Sequence, residues 1–307
     1  MTATIAAIAN LKGGVGKSTT TLMLADGLAY YYGADVLVID FDPQANSSQM
    51  LLTDRGLKMA FEQGKGVHHL IRQFMDNQAP NLANLILSNA VTLEELRRAE
   101  ERDARAGWIS ILPAHTQLRL TEMELEEQVY AKGMAPSRLA SYLAGHLEKA
   151  MEPLTRIYDI ILIDMPPYLS PIARAGLTLA NTYVTPTLAD SVSMWGTKQF
   201  SDWVSSNVTP HFASSNFVVI TRFRNTKYAR TAETELKEIY LKDRTFGPTI
   251  PESVQALNAM DRADLDSYDT LRGKYGRLRG DVKRLSESFV QFLSSKTSGT
   301  APKMVRN

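Results

Sequence analysis

Short apolar runs alternate with amphipathic stretches along most of the chain. Residues 36–39 are apolar at consecutive positions, which is typical of a strand that is buried on both faces of a parallel sheet. Comparable short runs lie at 5–9, 108–114, 158–164, 183–187, 217–223 and 249–251. The alternation predicts an α/β fold, with a doubly wound, mostly parallel sheet that is flanked by helices.

The stretches between these runs predict the flanking helices. Their apolar residues recur at the spacing of one helix face. The predicted helices cover 20–31, a segment from Asn46, 118–130, 137–154, a segment from Glu252 or Ser253, and 281–293. The apolar stripe that begins at Leu139 is interpreted as core.

Residues 53–107 are the least patterned part of the sequence, and only parts of this segment are weakly helical. The adjacent His68 and His69 point to different faces of a helix or strand, so we assign no chemistry to them. We predict one domain over 1–293, with 53–107 as an insertion or a variable helical region. A polar tail is predicted over 294–307.

Composition and charge narrow the possible functions. The chain has 307 residues, 44% of them hydrophobic, and a formal net charge of +1, so any nucleic-acid surface must be a local one. It contains no cysteine, which excludes disulfides, thiolate metal sites, cysteine nucleophiles and thiolate-held iron–sulfur clusters. The N-terminus lacks a cationic stretch followed by an apolar one, so no secretory signal is expected. No apolar run approaches the roughly 20 residues of a membrane span.

A glycine-rich turn joins the first predicted strand to the first predicted helix. Its residues run from Asn10 to Thr19, with Gly13, Gly14, Val15 and Gly16 before Lys17, Ser18 and Thr19. Such a turn points several backbone N–H groups at one place and adds the positive end of a helix dipole, so it suits a polyphosphate. Lys17 can reach the β- and γ-phosphates, and the hydroxyl of Ser18 can ligate Mg²⁺. The pattern predicts a fold of the phosphate-loop NTPase type, although Leu11 replaces its first glycine and Lys12 is an additional lysine.

Three aspartates lie at the ends of predicted strands. Asp40 and Asp42 follow the second predicted strand, and Asp164 ends the strand at 158–164. Open α/β sheets bind ligands at the carboxyl ends of their strands. In phosphate-loop NTPases such an aspartate holds the Mg²⁺ shell, which is the role expected for Asp164. Asp42 is also a possible cap of the helix from Asn46, and both roles stay open for it.

The composition changes after Leu271. Basic residues cluster there among glycines, at Arg272, Lys274, Arg277, Arg279, Lys283 and Arg284. A cluster of this kind is either a solvated helix face or a surface that contacts the phosphate backbone of nucleic acid. Because phosphate contacts need only lysine and arginine, we predict a DNA-contacting surface and keep the solvated face as the alternative.

Taken together, these segments resemble the ParA/MinD group of deviant Walker-type ATPases. The resemblance rests on Lys12 to Thr19, Asp40 to Gln44 and Ile161 to Pro167, with softer matches at Leu112 to Ala114 and Ile250 to Val254. In order and spacing these motifs span nearly the whole chain, apart from 53–107 and the tail. Within the group, the Asp-Pro-Gln sequence after the second strand resembles the ParA branch, which partitions plasmids and chromosomes.

The resemblance implies how ATP and Mg²⁺ would be bound. Lys17 and the loop amides would hold the phosphates, and Ser18 would ligate Mg²⁺ directly. Asp40 and Asp164 would act on the metal through water.

The resemblance also implies the remaining site roles. Asp42 would position or activate the attacking water. Lys12 would reach across a dimer interface to the ATP of the partner subunit, where an added cation offsets developing charge. The adenine-side segment of the family matches this chain loosely, at Thr221, Arg222 and Pro251.

A reaction cycle and partners follow from the same resemblance. ATP would drive formation of a homodimer, which binds DNA without sequence preference through the basic segment. A ParB-like centromere-binding protein, or another cargo adaptor, would stimulate slow hydrolysis, and the ADP form would release DNA. The expected location is cytoplasmic and nucleoid-associated, with no membrane partner.

Other functions fit parts of the sequence. Some relatives position protein assemblies on the nucleoid, and the ATPase sequence alone does not separate these cargoes. A MinD-like protein binds membrane through a terminal amphipathic helix, for which 286–293 is a candidate, but the tail beyond it is polar. Relatives of the nitrogenase iron protein need cysteines and are excluded.

Overall fold

A seven-stranded sheet forms the centre of the protein. The computed structural model describes residues 3–76, 78–90, 92–101, 107–240, 246–254 and 268–296. The strands are β1 (Thr4–Ile8), β2 (Val36–Asp40), β3 (Ile109–Leu112), β4 (Ile160–Asp164), β5 (Thr182–Thr187), β6 (Asn216–Phe223) and β7 (Phe246–Pro251). They are arranged in the order β3-β2-β4-β1-β5-β6-β7, and every pairing between them is parallel. The predicted doubly wound α/β fold is confirmed.

Helices cover both faces of the sheet. Those before the middle of the chain are α1 (Lys17–Tyr32), α2 (Asn46–Glu62), α3 (Val67–Met75), α4 (Leu82–Leu85), α5 (Glu94–Glu101), α6 (Leu118–Ala131) and α7 (Pro136–Met151). The later ones are α8 (Leu154–Ile157), α9 (Pro171–Leu179), α10 (Ser191–Asn207), α11 (Phe212–Ser215), α12 (Lys227–Tyr240), α13 (Leu271–Tyr275) and α14 (Arg279–Lys296). The final helix is longer than predicted and includes the first residues of the expected polar tail. The helix predicted from Glu252 or Ser253 lies almost wholly outside the described residues.

The two faces of the sheet bury separate apolar clusters. On one face, α1 and α14 pack together through residues such as Leu28, Val282 and Phe289. On the other face, α3, α6, α7 and α9 supply the buried side chains, among them Phe74 and Leu143. Strand β2 is buried along its whole length because it is covered from both sides.

Residues 53–107 pack onto the body of the sheet where the structure describes them. The apolar face of α3, including Leu70 and Phe74, belongs to one of the two main clusters. Leu87 pairs antiparallel with Ile111 of the edge strand β3, so this segment covers part of an otherwise open sheet edge.

The sheet order brings distant loops to one place. The chain leaves β1 for β2 and β3 on one side, returns to β4, and then passes β1 to reach β5, β6 and β7. In register, Asp40 of β2 lies beside Asp164 of β4, and Ile8 of β1 lies beside Asp164 on its other side. The glycine-rich turn and the strand-end aspartates therefore meet at the carboxyl edge of the sheet, where such folds bind ligands.

Candidate nucleotide-binding site

The turn after β1 has a backbone that favours glycine. Gly14 and Gly16 have φ values of 72° and 81°, in the left-handed region, and Gly16 is the residue that starts α1. A Cβ atom at Gly16 would lie 3.6 Å from the hydroxyl oxygen of Thr221, an ordinary van der Waals distance, so the positive φ rather than crowding favours glycine here. The turn thus presents the first N–H groups of α1 at the carboxyl edge of the sheet, which is an anion-binding geometry.

Hydrogen bonds from other elements hold the turn in this shape. The side chain of Asn10 donates to the carbonyl of Pro186 at 2.9 Å and accepts from the N–H of Lys12 at 3.0 Å. On the opposite side, the Thr221 hydroxyl donates to the carbonyl of Val15 at 2.6 Å. These bonds fix the backbone of the turn between the ends of β5 and β6.

Lys17 lies across the turn beside two carboxylates. It is buried, and its ammonium group donates to the carbonyl of Lys12 at 3.2 Å. Burial lowers the pKa of Lys17, whereas the negative charges of Asp164 and Asp42 act in the opposite direction. A buried cation with acidic neighbours at the start of a helix matches the phosphate-contacting position that the sequence predicts for Lys17.

Asp40 and Asp164 are fully buried, but their hydrogen bonding differs. Asp40 accepts bonds from the N–H and hydroxyl of Ser48 and from the N–H of Asp42. Asp164 accepts a 2.6 Å bond from Ser47 at one oxygen, whereas its Oδ1 atom has no hydrogen-bond partner in the described part of the chain. A buried carboxylate oxygen without a partner is costly, which makes Asp164 the better fit to a cation shell.

The electrostatics of the two aspartates reflect their burial. Burial, opposed by hydrogen bonds from Ser47 and Ser18, raises the pKa of Asp164 to about 6. Burial and the nearby charge of Asp164 raise the pKa of Asp40 well above its usual value. Ser18 and Asp164 are therefore adjacent, as a shared Mg²⁺ shell requires, and a bound cation would favour the ionised carboxylate.

Asp42 lies at the same edge of the sheet and does not cap a helix. Its Oδ1 atom accepts a 2.9 Å bond from the N–H of Gln44, and α2 starts after Ala45 without a side-chain cap. Burial raises the pKa of Asp42, and the Gln44 N–H and Lys17 partly offset this effect. The alternative role as a helix cap is thus wrong, and its carboxylate is placed to act near the phosphate-binding turn.

Lys12 makes contacts that the sequence did not predict. Its ammonium group lies 2.5 Å from the hydroxyl of Ser193 and 3.5 Å from a carboxylate oxygen of Asp190, both in its own chain. Asp190 also caps α10 through the N–H of Ser193 at 2.7 Å. Burial by itself would raise the pKa of Asp190, but the bonds from Ser193 and Lys12 outweigh it and lower that pKa.

A small cleft beside the turn gathers the predicted adenine-side residues. Thr221, Arg222 and Pro251 line it together with Gly16 and Thr19, and its volume is about 50 Å³. Arg222 has a φ of 50° and donates to the carbonyl of Gly14 at 3.0 Å, so it supports the turn directly. The structure therefore brings these sequence-predicted residues to one side of the turn.

The predicted basic segment is mostly exposed, with one correction. Arg272, Arg277, Arg279, Lys283 and Arg284 are exposed on α13, α14 and the turn between them. Lys274 is only 2% exposed, because it forms an ion pair with Asp26 and donates to Thr92 at 2.7 Å. Its assignment to a DNA-contacting surface is therefore wrong in this conformation, since the side chain points into the core.

Several residues of the site were missed by sequence reasoning. They are Asn10, Ser47, Ser48, Asp190 and Ser193. Asn10 was recognisable, because it directly precedes the turn. The pair Asp190 and Ser193 has the spacing of a helix cap, which signals the start of α10 but not its contact with Lys12.

A comparison with protein-family models matches residues 3–212 to the AAA_31 family, described as an AAA domain. The sporulation initiation inhibitor protein Soj of Bacillus subtilis is 27% identical over 258 residues, which is 83% of this chain and 87% of Soj. The family match covers the turn and all three strand-end aspartates.

Solved structures share the fold at lower identity. A plasmid partition protein from Borrelia burgdorferi bound to AMPPNP aligns with a TM-score of 0.64 and 19% identity, over 94% of this chain and 99% of that one. Cobyrinic acid a,c-diamide synthase from Mycobacterium smegmatis, with bound ADP and magnesium, aligns with a TM-score of 0.63 and 20% identity, over 98% of both chains. The fold is thus shared by proteins of different function.

The match to the family model covers more than half of the chain, and it includes the strands and loops that build the site described above. Sequence similarity to Soj extends over most of both proteins. The chain therefore belongs to the AAA_31 family, and its similarity to Soj and to the chromosome partitioning protein ParA of Myxococcus xanthus, which is 27% identical over 256 residues (82% of this chain and 76% of that one), confirms the resemblance to the ParA/MinD group of ATPases.

Proposed function

We propose that the protein binds ATP with Mg²⁺ and hydrolyses it as a switch in DNA partition. The observation that carries this proposal is the convergence of Lys17, Asp42 and Asp164 at the phosphate-binding turn. A buried lysine, a helix start and carboxylates are the parts that phosphoryl transfer requires. The Borrelia relative binds AMPPNP and the Mycobacterium synthase binds ADP with magnesium, which supports the choice of ligand.

In this proposal the metal is held by Ser18 directly and by Asp164 through water. The unpartnered Oδ1 atom of Asp164 supports the second role, because a water of the metal shell would supply the missing donor. Asp40 positions this group from the neighbouring strand, since its own oxygens are occupied by Ser48 and Asp42. When bound, Mg²⁺ would supply positive charge that offsets the negative charge of the β- and γ-phosphates.

Hydrolysis is assigned to a water that Asp42 orients. Its carboxylate is anchored at one oxygen by Gln44, and it lies close enough to Lys17 for their charges to interact. The variant Asp42→Ala should bind ATP but hydrolyse it at a small fraction of the parent rate. Parent-level turnover by this variant would show that another group positions the water.

Dimerisation is proposed to bring Lys12 to the partner subunit's nucleotide. For this, Lys12 must leave Asp190 and Ser193, which hold it in the single chain. The exposed apolar residues Val192 and Trp195 lie on the same helix, at 68% and 67% exposure. This apolar surface beside Lys12 supports a dimer interface at the start of α10, since large exposed aromatic residues are typical of binding hot spots.

DNA binding is proposed for the exposed arginines of the basic segment. Arg272, Arg277 and Arg279 are the residues that we assign to phosphate contacts. Lys283 and Arg284 also form ion pairs with Glu287 and Asp281, so part of their charge is offset within α14. The variant with Arg277→Ala and Arg279→Ala should lose affinity for random-sequence duplex DNA and show a smaller dependence on salt.

The cargo is proposed to be a plasmid or chromosome, through a ParB-like adaptor, because ParA of Myxococcus xanthus, one of the relatives that this chain matches, is a chromosome partitioning protein. A protein cargo on the nucleoid is the second candidate and uses the same ATPase. For membrane binding, the structure gives one finding: none of the helices in its described part is long and apolar enough to cross a bilayer. The location that we propose is the nucleoid in the cytoplasm.

The proposal is tested by ATP binding and by nucleotide-dependent DNA binding. Calorimetry should detect ATP binding to the parent and to Lys58→Ala, an exposed lysine of α2, but not to Lys17→Ala. DNA binding is then measured with ATP, with ADP and without nucleotide across a salt series. Binding that requires ATP and falls steeply with salt is expected. If Lys17→Ala binds ATP as tightly as the parent, the proposed nucleotide site is wrong. If the protein does not bind DNA with ATP, with ADP or without nucleotide, the proposed partition function is wrong.

A further inference from the structure

An open groove crosses the face of the sheet that carries α3, α6 and α7. One part has a volume of about 730 Å³ and lies between Phe74, Leu125 and Tyr142. A second part, of about 490 Å³, continues from Phe74 and Tyr142 toward Pro80 and His146. Because the two parts share Phe74 and Tyr142, they form one continuous surface, which we name the α3–α6–α7 groove.

The floor of the α3–α6–α7 groove is apolar and aromatic. Phe74 is only 4% exposed, and the rings of Phe74 and His146 meet edge to face with centroids 5.9 Å apart. The rings of Tyr142 and His146 are closer, at 4.3 Å, and His146 is bonded to the Tyr142 carbonyl at 2.9 Å. Met75 and Met134 extend the apolar lining, and methionine adapts readily to different partners.

The charges along this groove have one sign. Its charged lining residues are Lys132, Arg138 and Lys149, and none of the lining residues is an aspartate or a glutamate. All three basic side chains are exposed. An apolar floor with a basic rim is complementary to a segment that carries apolar anchors and acidic flanks.

The α3–α6–α7 groove is placed apart from the other proposed contacts. Phe74 and Leu125 belong to the apolar cluster on one face of the sheet, whereas Val282 and Phe289 of α14 belong to the cluster on the opposite face. A partner in this groove and DNA on the basic segment can therefore be bound at the same time. None of the residues that line the groove belongs to α10, whose exposed Trp195 is assigned to the dimer face.

We propose that the α3–α6–α7 groove is a docking site for an acidic, apolar peptide segment of another protein. The segment places apolar side chains on the half-buried Met75, Met134 and Tyr142. Its carboxylates lie beside Lys132, Arg138 and Lys149. The basic rim selects a partner segment of negative charge and raises its rate of association. The apolar floor supplies most of the affinity.

A structural route connects this docking site to the nucleotide site. On α6, the buried Glu122 accepts a 2.5 Å bond from the Ser170 hydroxyl. Ser170 in turn caps α9 at the N–H of Ala173, and the loop that precedes it starts at Asp164. A segment that displaces α6 would therefore act on the loop after β4, which gives the partner a physical means of altering hydrolysis.

The test selects peptides from a displayed library of random linear sequences on the full-length chain, without nucleotide. We expect enriched peptides to combine acidic and apolar residues. By fluorescence polarisation they should bind the Lys132→Glu, Arg138→Glu double variant about tenfold more weakly, because two attractive contacts become repulsive. A matched control, Lys58→Glu with Arg156→Glu, changes the net charge equally at exposed sites outside the groove and should bind as the parent does.

A charge exchange completes the test. Peptides whose acidic residues are replaced by lysine should prefer the Lys132→Glu, Arg138→Glu variant over the parent. The proposal is overturned if no peptide is enriched, if enriched peptides are not acidic, or if they bind the double variant as tightly as the parent. Because binding is measured without ATP, a failure of the ATPase proposal leaves this result unaffected.

Discussion

The ammonium group of Lys12 lies 3.5 Å from a carboxylate oxygen of Asp190 in the same chain, and 2.5 Å from the hydroxyl of Ser193. The proposed dimer needs Lys12 at the partner subunit's nucleotide. The contact with Asp190 therefore competes with dimerisation, because the free energy of this contact is lost when the dimer forms.

Removing the negative charge of Asp190 should favour the ATP-bound dimer. Asparagine also caps helices well, so Asp190→Asn keeps the start of α10 while it removes the ion pair with Lys12. Partly exposed pairs contribute about 0.2–1 kcal/mol each, and both subunits release one pair when the dimer forms, so we expect the dimer to tighten by about 2- to 30-fold. Sedimentation with ATP in an Asp42→Ala background measures this change. Asp202→Asn, an exposed change on the same helix, is the control, and a dimer no tighter than the control would contradict the prediction.

The buried pair of Lys274 and Asp26 should be essential for stability. Lys274→Met leaves Asp26 buried without its cation and should reduce the free energy of unfolding by about 3–5 kcal/mol. The double variant with Asp26→Asn and Lys274→Met should recover much of this loss, because no uncompensated charge remains. Urea unfolding measures all three variants. The control is Arg272→Met, at an exposed position on the same helix, which should change the free energy of unfolding by less than about 0.5 kcal/mol. If Lys274→Met and Arg272→Met cost the same, the buried ion pair is not essential.

Acid should destabilise the protein partly through His68. This side chain is 2% exposed and stacks on Phe61 with ring centroids 4.8 Å apart. Burial, followed by the charges of His69, His115 and Arg72, lowers the pKa of His68 from 6.5 to about 3. The folded protein therefore stays neutral at His68 while the unfolded chain takes up a proton below pH 6.5, so stability falls as the pH decreases toward 3.

The size of this effect can be measured by substitution. Between pH 6.5 and pH 5 the parent should lose about 1.6 kcal/mol through His68, because the loss approaches about 1.36 kcal/mol per pH unit only well below the unfolded pKa. His68→Leu removes the titrating group, so its stability should fall less over the same range in urea unfolding. His211→Leu, at an exposed histidine, should follow the parent. Identical acid sensitivity of His68→Leu and the parent would exclude this contribution.

The Thr221 hydroxyl should support ATP affinity without touching the phosphates. Thr221→Val removes its bond to the Val15 carbonyl, so the phosphate-binding turn loses a fixed contact. A net hydrogen bond contributes about 0.5–1.5 kcal/mol, which predicts an ATP affinity up to about tenfold lower in calorimetry. Thr221→Ser keeps the hydroxyl and should restore most of the affinity. If Thr221→Val binds ATP as tightly as the parent, the hydroxyl does not support the phosphate-binding turn.

Local patterns were sufficient to predict most of the fold. The run at 36–39 predicts a strand buried on both faces, and β2 has that burial. The glycine-rich turn predicts a strand–turn–helix unit, because its residue types have few other uses in that order. The strand ends at Asp40 and Asp164 were correctly placed together, since parallel strands align their carboxyl ends.

Contacts between distant segments were not predictable in the same way. Lys274 belongs to a basic cluster by sequence, but its environment is set by Asp26 on α1, 248 positions away. The same holds for Lys12, whose partners lie at the start of α10. Charge patterns describe neighbours along the chain, whereas burial depends on helices that meet only after folding.

The bond from Thr221 to Val15 spans 206 positions. During synthesis the turn leaves the ribosome long before the strand that fixes it. At typical elongation rates this interval is about 10 to 40 s. The nascent chain therefore lacks a complete nucleotide site for most of its translation. Binding of ATP by this protein consequently reports that β6 has docked, and a ribosome-bound fragment that ends before residue 221 should not retain the ligand.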